Sequence, residues 1–130
     1  MTHTTSEFEI TSWQDTAYPD PADGSKLSRA TVKKSFKGEF EGTSTAEVLV
    51  HASQDGTQSY IAWEQIEGRI GDRRGSFIIQ HGGIRHQGGQ RAFGHVVPGS
   101  GTNELHGLRG LAEYSHHEKG ATLTLDYYFE

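Results

Sequence analysis

The stretch GATLTLDYYFE (residues 120–130) shows the most regular alternation of apolar and polar residues in the chain. Its large apolar residues recur at every second position: Leu123, Leu125, Tyr127 and Phe129. Side chains on a β-strand point alternately to its two faces, so this pattern predicts a strand with one face in a core. The stretch decides the fold class, because the rest of the chain repeats its pattern.

Seven further alternating segments precede it, separated by polar or glycine-containing turns. They cover residues 4–14, 26–38, 39–53, 57–70, 75–81, 90–97 and 105–116. In the last of these, three leucines also have helical spacing, but Gly107 and Gly110 disfavour a helix. Eight strands without a convincing helix predict one all-β domain over residues 1–130. We favour an eight-stranded antiparallel barrel over a sandwich, because a closed barrel leaves no exposed strand edge.

The amino-acid composition excludes several classes of function. The chain has no cysteine, which excludes disulfides, thiolate metal sites and a cysteine nucleophile. Its net charge is −5, with both signs interspersed, so no basic footprint for nucleic acid is present. No apolar run approaches the roughly 18 residues that span a membrane, and MTHTTSEFEI lacks the basic and apolar regions of a signal peptide. We therefore expect a cytoplasmic protein with no nucleic-acid or membrane partner.

Three motifs resemble a known family. GEFEGTSTAEVLV (38–50), GSFIIQHGG (75–83) and VVPGSGTNELHGLRG (96–110) are similar, in order and spacing, to an uncharacterised bacterial family of small barrels. The structures of that family look like allene oxide cyclase. The resemblance implies an eight-stranded allene-oxide-cyclase-like β-barrel that is often dimeric or trimeric, but it implies no reaction. The family usually has glycine at the position of Asn103.

Polar residues in phase with apolar ones are the candidates for the barrel interior. On this basis Glu64, His81 and His95 are predicted catalytic residues. Imidazole transfers protons near neutral pH, and burial would raise the pKa of a carboxyl group into the same range. The alternatives are a solvated Glu64, a Glu64 in a salt bridge with Arg69 or Arg85, and histidines that only form hydrogen bonds at a barrel rim.

Neighbouring residues supply predicted binding contacts for a small hydrophobic molecule: Tyr60, Trp63, Phe77, Gln80, Phe93 and Tyr127. In residues 57–70 both faces carry apolar residues, so Trp63 could instead face inward and leave Glu64 outside. Gln80 and His81 are predicted to end their strand at the mouth of a cavity, with Gly82 and Gly83 forming the break. In that position His81 is the best single candidate for proton transfer.

The eight histidines raise the question of a metal. His81, His86 and His95 could converge with Glu64, but His86 lies in a glycine-rich segment and no H-x-H pair occurs. We predict neither a metal nor another cofactor, since no nucleotide-binding motif is present.

Three functions remain open. The first is a small-molecule-binding barrel that acts as a cofactor-independent isomerase or cyclase on a small apolar substrate. The second is a carrier or sensor without catalysis, and the third is a structural barrel with a filled core. Apolar residues in the outward phase, such as Ile61, Trp63 and Ile78, additionally predict a homodimer.

Overall fold

A computed structural model describes residues 1–19, 21–118 and 120–130. Antiparallel strands form a closed barrel in which each strand pairs with its neighbours in sequence and β8 pairs with β1. The strands are β1 (Thr2–Ala17), β2 (Lys26–Gly38), β3 (Phe40–Ala52), β4 (Gln58–Ile70), β5 (Arg73–His86), β6 (Gly89–Val96), β7 (Leu108–His117) and β8 (Gly120–Phe129). The predicted all-β, eight-stranded antiparallel barrel is confirmed. None of the described helices is long and apolar enough to cross a membrane.

A short 3-10 helix, Asn103–Leu105, leads into β7. It contains the first of the three leucines with helical spacing, and the strand begins only at Leu108. Asn103 has a φ of 52°, in the left-handed region that favours glycine and tolerates asparagine. This conformation explains how the residue can replace the glycine expected there.

One half of the barrel is packed solid. Apolar side chains from all eight strands and the 3-10 helix fill it, among them Phe36, Phe40, Ile66, Phe77, Ile79, Leu105, Leu108, Leu123 and Leu125. They occupy the inward positions of their strands, as period-2 alternation requires. Burial of this apolar surface is the main source of stability for a closed barrel of this size.

The other half of the barrel is lined by smaller residues. Its buried cluster consists of Ala30, Val32, Ala46, Val48 and Ala62. An eight-stranded barrel has just enough interior to be filled by side chains or to hold a small ligand. Alanine and valine at inward positions therefore leave space where phenylalanine and leucine fill it in the packed half.

A β-bulge in β1 changes which side chains face inward. Ile10 lies opposite Lys34, whereas Trp13 lies opposite Val32, with a register shift between Ile10 and Ser12. A bulge adds one residue to a strand, so the alternation resumes in the opposite phase. Strict alternation would place Trp13 outside, but the bulge places it on the same inner face as Ile10.

Strand β5 does not end at Gly82 and Gly83, so the predicted break is wrong. The strand continues to His86, with Gly83 opposite both Tyr60 and Ala92. A Cβ on Gly82 would lie 2.8 Å from the Phe93 ring, and one on Gly83 would lie 3.2 Å from the Tyr60 ring. The two glycines therefore make room for neighbouring aromatic rings within a continuous strand.

Strand β6 is held weakly on one side. It pairs with β5 over eight residues, but with β7 only at His95–Leu111 and Val96–Gly110. Gly94 and Val96 are buried while Phe93 and His95 are exposed, so the predicted inward phase of this strand is wrong. The ladder with β5 sets the phase, since His81 lies opposite Gly94 and both must face the interior.

Candidate functional site

The half lined by small residues contains a cavity of about 830 Å³. Its walls are mainly apolar, including Phe8, Ile10, Trp13, Val32, Ala46, Val48, Val50 and Ala112. Ile10 and Trp13 face inward yet remain 48% and 51% exposed, which shows that the barrel is open at this end. The cavity is within the range of small-molecule sites, about 300–1,000 Å³.

The cavity also opens through the barrel wall between β6 and β7. Consecutive residues of β6 (90–93) and of β7 (112–116) line it. Consecutive residues on a strand point to opposite faces, so the cavity must contact both faces of these strands. This side opening lies beyond the last pair that joins the two strands, His95–Leu111.

Glu64 is the centre of the polar floor of the cavity. It projects inward from β4 between Ala62 and Ile66 and is 0% exposed. One carboxylate oxygen, Oε1, accepts hydrogen bonds from Lys34 Nζ at 3.0 Å, His81 Nε2 at 2.9 Å and Tyr114 Oη at 2.8 Å. The other oxygen, Oε2, accepts one from Ser44 Oγ at 2.5 Å. Four strands besides β4 thus supply donors to a single carboxylate.

These donors keep Glu64 ionised. Burial raises the pKa of the carboxyl group, but the hydrogen bonds from His81 and Ser44 and the charge of Lys34 outweigh it and lower the pKa from 4.5 to about 2. A buried carboxylate is stable only when its charge is paired and its oxygens are hydrogen-bonded, as they are here. The expectation that burial raises the pKa of Glu64 overall is therefore wrong.

Lys34 supplies the positive charge of the floor. Its side chain faces inward from β2 and is only 9% exposed. Besides its bond to Glu64, Nζ lies 4.8 Å from the centroids of the Phe8 and Tyr114 rings. These cation–π contacts compensate part of the lost hydration of the ammonium group. Because Lys34 lines the cavity and Glu64 does not, a bound molecule would meet the cation first.

His81 connects the buried carboxylate to the cavity surface. Its Nε2 donates to ionised Glu64, so in the neutral ring Nδ1 accepts a hydrogen bond from Tyr60 Oη at 3.1 Å. The ring also stacks on Tyr114, with 4.2 Å between centroids. Burial and the charge of Glu64 raise the pKa of both tyrosines, so both phenols are protonated at neutral pH. The result is a hydrogen-bonded chain, Tyr60–His81–Glu64, that begins at the cavity.

The predicted site residues divide into three groups. Glu64, His81 and Tyr60 come together, and His81 and Tyr60 line the cavity. Phe77 and Tyr127 instead pack in or against the filled half.

The third group lies on the outer face: Trp63, Gln80, Phe93 and His95 are exposed and alternate with buried neighbours. Of these, Phe93 alone borders the cavity, at the side opening. Trp63, Gln80 and His95 do not line it, contrary to prediction. Burial of Glu64 settles the ambiguity in β4, since adjacent residues cannot both face inward.

Sequence reasoning missed Lys34, Ser44 and Tyr114. Lys34 stands between Val32 and Phe36 in the inward phase of β2, and Ser44 precedes Ala46 in the same phase of β3. A polar residue in the phase of apolar ones is the signal in the sequence that marks all three positions. For a metal, the described residues contain no group of three or more His, Asp or Glu side chains that could hold one.

The family follows from sequence comparison. A family model described as "Protein of unknown function (DUF3224)" matches residues 4–128. The chain belongs to the DUF3224 family. A solved structure of a DUF3224 protein of unknown function from Shewanella oneidensis MR-1 is 34% identical, with a TM-score of 0.86. The match covers 100% of this chain and 98% of that one.

A search of curated proteins found no match. The predicted resemblance to an uncharacterised family of small barrels is thus confirmed as membership of DUF3224. The allene oxide cyclase likeness is not tested by these matches and stays a hypothesis. Neither description states an activity or a ligand.

Proposed function

We propose that this DUF3224 barrel binds a small, largely apolar molecule in the cavity, with a polar group of that molecule against the floor. The supporting observation is the cavity of about 830 Å³, in which apolar walls surround Lys34, Tyr60, His81 and Tyr114. Ligand sites typically combine apolar walls with a few convergent polar groups. A structural barrel with a filled core is the less favoured alternative, because small residues in one half of this interior leave space unfilled.

Filling the cavity tests the proposal. Val50 lines the cavity from β3 and is half-buried, so Val50→Trp adds a large side chain where space exists. The probe is 1-anilinonaphthalene-8-sulfonate, an amphipathic dye whose fluorescence rises in apolar sites. We expect saturable binding to the native chain and an affinity at least about tenfold lower for Val50→Trp, since the indole occupies the probe's volume.

The matched control is Thr45→Trp, on the same strand but on the outer face. It should bind the dye like the native chain, and circular dichroism should show that both variants are folded. Equal affinity in Val50→Trp and the native chain, or no dye binding to the native chain, would overturn the proposal.

A second candidate function is acid–base isomerisation or cyclisation without a cofactor. The hydrogen-bonded series Tyr60–His81–Glu64 favours this function, because it links a hydroxyl group at the cavity surface to a buried anion through an imidazole. In this role Tyr60 Oη takes a proton from the ligand as it gives its own proton to His81 Nδ1, and ionised Glu64 stabilises the imidazolium that forms. The reverse transfer returns a proton to another position of the ligand. A carrier needs the cavity but does not need this series of hydrogen-bonded residues.

Tyr60→Phe separates the enzyme from the carrier. The substitution removes the Tyr60 hydroxyl group, which is the first member of the hydrogen-bonded series, but it retains the aromatic ring. His81 keeps its hydrogen bond to Glu64. With 2-cyclohexenone as probe in deuterated water, we expect the native chain to accelerate deuterium uptake and Tyr60→Phe to lose at least tenfold of that rate. Dye binding should be unchanged in the variant. No acceleration by the native chain would leave the carrier as the supported function.

A further inference from the structure

The outer face of strands β3 to β7 carries exposed large apolar side chains that the described chain leaves uncovered. They are Leu49, Ile61, Trp63, Phe93 and Leu111, each between 40% and 59% exposed, and we call them the outer patch. Monomeric proteins rarely expose contiguous apolar surface, and such patches mark interaction sites. The patch is separate from the cavity floor, so it does not depend on the function proposed above.

Strand pairing places the patch in two adjacent rows across the sheet. In the first row the order is Arg29, Leu49, Ile61, Gly82 and Phe93. In the second it is Glu47, Trp63, Gln80, His95 and Leu111. Directly paired residues of an antiparallel sheet point to the same face, so each row is a continuous line of neighbours.

Each row is self-complementary: when it is rotated by half a turn about the line between β4 and β5, it presents matching residues to an identical row. About the line between β4 and β5, Trp63 lies opposite the polar Gln80, and Ile61 lies opposite Gly82, over which the Phe93 ring packs. The ionisable residues are arranged about the same line between β4 and β5. The second row has an acid, Glu47, on β3 and an imidazole, His95, on β6. The first row begins with Arg29, and Glu113 is the next outward position of β7 beyond Leu111.

We propose that a second copy of this chain covers the outer patch, related by a two-fold axis that lies in the interface and runs along the strands between β4 and β5. This axis places Trp63 of one copy against Gln80 of the other, and Glu47 against His95. An isologous contact requires such self-complementarity, because each residue meets the symmetry-related surface. Apolar side chains at the centre with charges at the border are typical of protein interfaces.

The second copy also changes the cavity. Phe93 on β6 and Leu111 on β7 flank the side opening, and both belong to the outer patch. Phe93 lies on the strand next to β5, so the second copy narrows the side opening along β6 and leaves the open end of the barrel as the main entrance.

Sedimentation equilibrium tests the contact. The native chain at tens of micromolar should have twice the 14.3 kDa mass of one copy. Trp63→Glu should reduce it to one copy, since a carboxylate replaces the indole at the interface centre. The control Tyr128→Glu alters an equally outward and 45% exposed aromatic on β8, away from the patch, and should remain dimeric. A native monomer, or a dimer that survives Trp63→Glu, would overturn the proposal.

Cysteine cross-linking tests the axis, and the absence of native cysteine makes it unambiguous. Treated with a short bismaleimide, the single variants Glu47→Cys and His95→Cys should form few cross-linked dimers alone, because neither position faces its own copy across the axis. A mixture of the two, treated in the same way, should give the cross-linked heterodimer as the main product, because the reagent spans the roughly 10 Å between facing sheets, which a disulfide cannot. Efficient cross-linking of either variant alone, or none in the mixture, contradicts this arrangement. Circular dichroism checks that all variants are folded.

Discussion

At the scale of single residues, Glu64 is the most constrained group in the molecule. A lone carboxylate at a fully buried position would incur a desolvation penalty of several kcal/mol. Here Lys34, His81, Ser44 and Tyr114 supply a charge and four hydrogen bonds. Removing one of these side chains leaves its partners buried without a hydrogen bond or an opposite charge. The floor is therefore stable only when all of these side chains are present.

Glu64→Gln should remove a pH-dependent part of the free energy of unfolding. The folded-state pKa is about 2, below the ordinary 4.5, so the native carboxylate stabilises the fold above pH 4.5 and loses this effect as pH falls towards 2. Each pKa unit is worth about 1.4 kcal/mol, which gives a contribution on the order of 3 kcal/mol. Urea unfolding at several pH values should show the native chain losing its advantage over the variant across this interval.

The exposed Glu67→Gln variant, on the outer face of the same strand, is the control for this measurement and should follow the native pH profile. A stability difference between native and Glu64→Gln proteins that stays constant from pH 5 to pH 2 would contradict the assigned role. It would mean that the pKa of Glu64 is the same in the folded and the unfolded chain.

At the scale of strands, β6 differs from the others. It is fully paired with β5 but joins β7 through two residue pairs only. In an antiparallel ladder the backbone groups of successive residues point alternately to the two neighbouring strands. Beyond His95–Leu111, every second residue of β6 and β7 therefore directs its N–H into the side opening, with no ladder partner in the described structure.

Hydrogen exchange should reveal this alternation. Residue-resolved amide exchange by NMR should be slow throughout β3 and β4, which pair over thirteen residues. Within residues 89–94 and 112–117 we expect slow and fast amides to alternate, because only those bonded to β5 or β8 are protected. Uniformly slow exchange in both ranges would show that β6 and β7 are fully paired in solution.

At the scale of the whole molecule, the barrel is divided into halves with different tasks. Phenylalanine, leucine and isoleucine fill one half, whereas alanine and valine leave the other half open. The polar layer of Lys34, Glu64 and His81 lies between them and closes the cavity from below. Most of the buried apolar side chains lie in the packed half, so that half supplies most of the hydrophobic stabilisation. The outer patch adds a third region, outside the barrel wall.

The amino-acid sequence by itself determined the number of strands, their alternation and the phase that Glu64 and His81 each share with apolar neighbours, whereas burial of Glu64 decided which face of β4 is inward. These properties follow from period 2 within a single strand, which needs no information about neighbours. The continuation of β5 through Gly82, the phase of β6 and the bulge beside Trp13 were decided by pairing between strands. Tertiary structure alone brought Lys34, Ser44 and Tyr114 to Glu64. Alternation tells which face a residue occupies, but the height at which it meets other strands depends on the register and stagger of the closed barrel.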